Sequence, residues 1–78
     1  MINTHRRINL NKETQKGLFK KFKSRNITSK KLAMILNIPY STLKKYSTAK
    51  RTIPENVFLK VLDILKIEKN ELTFSYLH

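Results

Sequence analysis

The sequence predicts an all-α fold: a small domain of four to five helices around a helix-turn-helix, with a flexible basic N-terminal arm and a short C-terminal tail. Three observations carry that expectation. The chain has 78 residues, enough for one small domain and no more. It holds one Gly and two Pro, so the punctuation that a many-turned β fold needs is missing. Its apolar residues recur at i, i+1 and i+4, the spacing of one helix face.

Residues 1–10 lack that periodicity and carry the basic cluster His5-Arg6-Arg7, so they read as an arm. Residues 11–72 form the helical domain. Asn11 is a good N-cap for a helix over 12–24, where Leu18, Phe19 and Phe22 make the apolar stripe and Lys16, Lys20, Lys21 and Lys23 mostly lie off it. Arg25-Asn26 ends that helix, since Asn tolerates the left-handed conformation. Thr28 caps the next helix, 29–36, with Leu32, Ala33 and Leu36 inward. Asn37-Ile38-Pro39 is the turn: Asn37 takes positive φ, Ile38 plugs the core, and Pro39 is pre-set to start a helix. A short helix over 40–46 follows, then a polar loop over 48–52. Pro54 and Glu55 open a strongly apolar helix that runs to Lys66 and must be covered by several neighbours. A last turn lies around 69–72. In the tail, 73–78, Leu72, Phe74 and Tyr76 alternate and hint at a strand; with Leu77 they offer a surface for a homodimer or for packing back onto the same chain.

Charge divides the chain. Residues 1–53 hold fourteen Lys/Arg against one acid, Glu13, while residues 54–78 hold three lysines against four acids. A polycation of +13 beside a segment of −1 calls for a polyanionic partner, double-stranded DNA first and an anionic membrane surface second. No apolar run approaches a membrane span, and residues 1–10 contain no secretory leader, so an intracellular, nucleoid-associated location is expected. Without cysteine there is neither a disulfide nor a thiolate metal site. The two histidines and five carboxylates form no metal or catalytic cluster, and no glycine loop cradles a phosphate. No enzyme activity, cofactor, metal or small-molecule ligand is therefore expected.

The helix over 40–46 shows what faces outward. Counting about 100° per residue from Leu43 places Tyr46 at about −60°, Lys44 at about 100°, Thr48 at about 140°, Ser41 at about 160° and Lys45 at about 200°. Leu43 and Tyr46 anchor the helix. Ser41, Lys44, Lys45 and Thr48 project outward, and Tyr40 sits at the exposed N-terminal end. The major groove admits one helix, and Lys and Ser can meet its base edges.

These residues resemble a family. Ile-Thr-Ser-Lys-Lys-Leu-Ala-Met-Ile-Leu-Asn-Ile-Pro-Tyr-Ser-Thr-Leu-Lys-Lys-Tyr from residue 27, then Lys-Arg-Thr-Ile-Pro and Ile-Leu-Lys-Ile…Glu-Leu, look like the phage repressor/Cro (Xre-type, lambda repressor-like) helix-turn-helix. With Leu18 to Asn26 as first helix, the likeness spans about 55 of the 78 residues. It implies base contacts from Tyr40, Ser41 and Lys45, with Lys44 beside them, a phosphate contact from Ser29, and a backbone grip from Thr48, Lys50 and Arg51. Lys30 and Lys31 either touch phosphates or stand solvated, and Arg6 and Arg7 belong to an arm that enters a groove or stays free. Asn37 stands where the family usually has Gly, and Ala49 where it has another, so a differently shaped loop is expected there. Ser29 replaces a common Gln. Phe22 and Ser47 stand at the positions of a frequent Arg–Glu pair, so an apolar contact is expected in its place.

The implied function is sequence-specific DNA binding by a small repressor-like regulator of phage, viral or mobile-element type. The alternatives are a DNA-targeting module of a larger homing endonuclease or recombinase, and an antitoxin- or inhibitor-type protein-interaction module.

Overall fold

The computed structural model describes residues 6–77; His5, grouped above with Arg6 and Arg7, lies outside them, as does the terminal His78. Helix α1 (Lys12–Ser24) starts where the Asn11 side chain accepts hydrogen bonds from the Glu13 and Thr14 N–H groups, at 2.8 and 3.4 Å. In α2 (Ser29–Leu36), Thr28 caps the start by accepting from the Lys31 N–H at 3.2 Å. Helices α3 (Tyr40–Ser47) and α4 (Glu55–Leu65) each begin directly after a proline, whose fixed φ near −62° is already that of a helix. A short 3₁₀ turn, Lys69–Glu71, follows.

All four α-helices close in the same way, and none uses glycine. A left-handed residue follows each last turn: Asn26 (φ 61°), Asn37 (57°), Ala49 (59°) and Lys66 (57°). The next N–H then reaches back five residues: Ile27 to the Phe22 carbonyl, Ile38 to Ala33, Lys50 to Lys45 and Ile67 to Leu62, at 2.9–3.0 Å. In three of the four the closing residue is an isoleucine that packs against the core, so the bond that ends the helix also seals its end with apolar surface. The exception is the end of α3, where Lys50 faces solvent.

The expectation of a purely helical fold is overturned by a three-stranded antiparallel sheet. Strand β1 (Arg7–Leu10) is central, with β2 (Ile53–Pro54) on one side and β3 (Phe74–Leu77) on the other. Ile8 lies opposite both Ile53 and Tyr76, and Leu10 lies opposite Phe74. Of the residues read as a free arm, Arg7–Leu10 are thus the middle of the sheet. Ile8 is fully buried, and Arg-Ile-Asn-Leu alternates outward and inward as a strand should. The alternation Leu72, Phe74, Tyr76 does mark a strand, but its apolar side faces this chain's own core. Phe74 meets Phe58 edge-on at 5.0 Å between ring centres, and Tyr76 meets Phe74 at 5.6 Å.

Helix α4 runs through the centre, its Phe58 and Val61 fully buried beneath the sheet and α1. Two arginines tie the periphery to it. Arg25 donates to the last carbonyls of α4, Ile64 at 3.2 Å and Leu65 at 3.3 Å, which have no partner within the helix. Arg6 grips Glu55 with two hydrogen bonds, 3.2 and 2.5 Å, and lies over the Tyr76 ring at 3.7 Å. Arg7 bonds the Thr52 hydroxyl at 2.7 Å and the Thr52 carbonyl. Both guanidinium groups are therefore engaged within the fold, so Arg6 and Arg7, read as possible arm contacts to DNA, stand at the start of a paired strand and not on a flexible arm.

Two outcomes follow from this arrangement. Ile8→Ala should lower stability by roughly 2–5 kcal/mol in urea unfolding, as a buried isoleucine truncation does, whereas a free arm would give no change. The hydrogen bonds from Arg6 hold the Glu55 carboxyl below its usual range, against the opposing effect of desolvation. A carboxyl depressed on folding stabilises the protein fully above its unfolded value, about 4.3. That contribution disappears as pH falls through the lower folded value. Thermal melts of wild type and Glu55→Gln should therefore differ most near neutrality and converge on acidification; a constant gap would show that the pair does not titrate with folding.

Candidate nucleic-acid interface

The candidate interface is built on α3. Leu43 and Tyr46 point into the core, 1% and 5% exposed, and hold the helix by its inner side. Tyr40, Ser41, Lys44 and Lys45 are exposed on the remaining surface, and no acidic residue occurs in the helix. No side chain caps the N-terminus of α3, whose first residue, Tyr40, is exposed.

A polar tie fixes where α3 sits. The Gln15 side chain, 3% exposed on α1, donates from Nε2 to the Tyr46 carbonyl and to the Arg51 carbonyl, each at 2.8 Å. Only the amide nitrogen has the two donors for two carbonyls. One bond secures the end of the outward-facing helix and the other secures the loop after it. At the positions of the expected apolar replacement for an ion pair, Phe22 is buried in the core that Leu43 and Tyr46 of α3 share, and the Ser47 hydroxyl donates back to the Lys44 carbonyl at 3.1 Å, so the Gln15 bonds add a polar tie to an apolar contact between α1 and α3. Sequence reasoning missed Gln15, because a single polar residue beside an apolar stripe carries no signal that it will be buried.

The loop beyond α3 carries Lys50 and Arg51, both exposed. Ala49 adopts the left-handed conformation open to a glycine, so the missing glycine leaves a tight turn intact at a cost of about 1–2 kcal/mol. Thr48, expected to grip a phosphate, is exposed, but its hydroxyl donates back to the Lys44 carbonyl at 2.7 Å and closes the helix end. Lys30 is exposed on the first turn of α2, and Ser29 is half-buried beside it.

Ser29, Tyr40, Lys44 and Thr48 come together around one cleft of about 420 Å³ between α1 and α3. Lys16, Lys20 and Lys23 of α1 line the same cleft, whereas Lys45, Lys50 and Arg51 lie away from it. Among the described residues the one ion pair is Arg6–Glu55, so none of these lysines is neutralised by a carboxylate. No group of His, Asp or Glu among the described residues is arranged to hold a metal ion, and no helix there is long and apolar enough to cross a membrane. No protein-family model matches the chain, and no curated protein or solved structure matches it either.

Gln15→Leu keeps the volume but removes both donors. It should destabilise the fold by about 1–3 kcal/mol in urea unfolding, the cost of orphaned buried carbonyls. An unchanged midpoint would show that water replaces the amide without loss.

Proposed function

We propose that this chain is a sequence-specific double-stranded DNA-binding protein that inserts α3 into the major groove and acts as a small transcriptional regulator. One observation carries the reading: Tyr40, Ser41, Lys44 and Lys45 stand on the free side of a helix whose other side is locked by Leu43, Tyr46 and the Gln15 bond. Recognition needs side chains that reach base edges from a support that does not move, and this arrangement provides both. Lysine suits the O6 and N7 acceptors of guanine, and a serine hydroxyl can meet either kind of base edge.

The charge distribution supports the same partner. Lys30, Lys50 and Arg51 are exposed and unpaired, and lie on segments adjoining α3. Cations in such places neutralise phosphates and release counterions, which supplies affinity while α3 supplies selectivity. The protein occupies its site and thereby obstructs or assists a polymerase. The outer edge of β3 pairs with no other strand among the described residues, and a second copy would dock there.

Selection from random duplex DNA tests the proposal and should return a short motif; a palindrome would report a two-fold dimer, and recovery of no motif would overturn the reading. At the selected site, Lys45→Ala should cost about 1–3 kcal/mol and relax one base position. Lys50→Ala should lower the salt dependence by about one phosphate and leave the motif unchanged. A uniform loss over all sequences for Lys45→Ala would reassign that lysine to the backbone.

A further inference from the structure

The cleft beside α3 holds more charge than base reading needs. Lys16, Lys20 and Lys23 follow one another at i, i+4 and i+7, within a sector of about 60° on α1. They form one wall of the cleft, and Lys44 lies on the α3 side. The floor is apolar, with Phe19, Leu32 and Leu43 at its base. Four unneutralised ammonium groups repel one another around a small space, an arrangement that becomes favourable when anions lie between them.

The form of the anion follows from the geometry. The α1 lysines stand in a row about 10 Å long rather than converging on one point. A single small anion would meet only part of that row. A strand of nucleic acid offers anions in series along its length. The position of the row fits a strand as well: a helix about 10–12 Å across fills a major groove about 12 Å wide. Elements on either side of an inserted α3 must then meet the two backbones that border the groove. The loop with Lys50 and Arg51 stands at the end of α3, and the α1–α3 cleft stands along its flank.

We propose that the α1–α3 cleft is a second DNA-contacting surface, in which Lys16, Lys20 and Lys23 form a rail for the phosphates of one strand bordering the groove read by α3. This rests on the DNA-binding reading above. The apolar floor then lies against deoxyribose, and the protein's footprint extends beyond the bases read by α3. The rail carries affinity and register, with no base preference of its own.

Titration of the selected duplex at several salt concentrations tests it, using wild type, the triple variant Lys16→Gln/Lys20→Gln/Lys23→Gln, and Lys21→Gln. Lys21 lies on the same helix but outside the cleft, so it controls for charge alone. The triple variant should keep its fold and its motif and lose affinity at least tenfold, with the slope of log K against log salt reduced by about two to three, as each neutralised phosphate contributes about 0.9. Lys21→Gln should leave the slope at its wild-type value. An unchanged slope in the triple variant, or an equal effect per charge from Lys21→Gln, would overturn the rail while leaving sequence-specific binding by α3 intact. Wild type that binds no duplex selectively would overturn the underlying reading, and the rail with it.

Discussion

The backbone ladder on both sides of β1 is the constraint on which the rest depends. Ile8 faces Ile53 across one side and Tyr76 across the other, so a single buried residue joins the beginning, middle and end of the described chain. Its consequences reach the interface through β2. Pairing holds Ile53 and Pro54, and Arg7 holds Thr52, so the loop that carries Lys50 and Arg51 is tethered at its far end. Gln15 tethers the same loop nearer its start by binding the Arg51 carbonyl. A surface segment with two free cations is thereby pinned by bonds made beneath it.

Helices α2 and α3 have eight residues each and are too short to persist alone. They hold their shape because each end is closed and each inner side is packed. The ends are left-handed residues followed by hydrogen bonds that reach back five residues and satisfy carbonyls that would otherwise face the core or water. The inner sides are Leu32, Ala33 and Leu36 in one and Leu43 and Tyr46 in the other. What remains outside is a short rigid helix with a polar, cationic surface, which is what insertion into a groove requires.

Apart from Arg51, which is exposed like the lysines, the basic residues divide by chemistry. Arg6, Arg7 and Arg25 turn to the protein, where a planar fork of donors meets Glu55, Thr52 and the last carbonyls of α4. The lysines stay outside and unpaired, which suits a compact, strongly hydrated charge on a flexible stem. Net positive charge counted from composition therefore overstates one contribution and hides another. The arginines near the N-terminus belong to the architecture, and Lys16, Lys20 and Lys23, placed by the sequence mostly off the apolar stripe of their helix, line the cleft beside α3.

Local pattern by itself determined the positions of the four α-helices: the apolar stripes at Leu18-Phe19-Phe22, Leu32-Ala33-Leu36 and Leu43-Tyr46, the caps at Asn11 and Thr28, and the left-handed turn at Asn37 are all properties of neighbouring residues. It also determined which side of the 40–46 helix faces outward, because a helix wheel needs only the chain's own period. Only the tertiary structure decided the sheet, the places of Arg6 and Arg7, the burial of Gln15 and the shared cleft of Lys16, Lys20, Lys23 and Lys44. Each of these depends on contacts between segments far apart in the chain. Four residues at one end pair with four near the other, and an amide on the first helix meets carbonyls more than thirty residues away. No local periodicity encodes such partners, since the energy that selects them appears only when the segments meet.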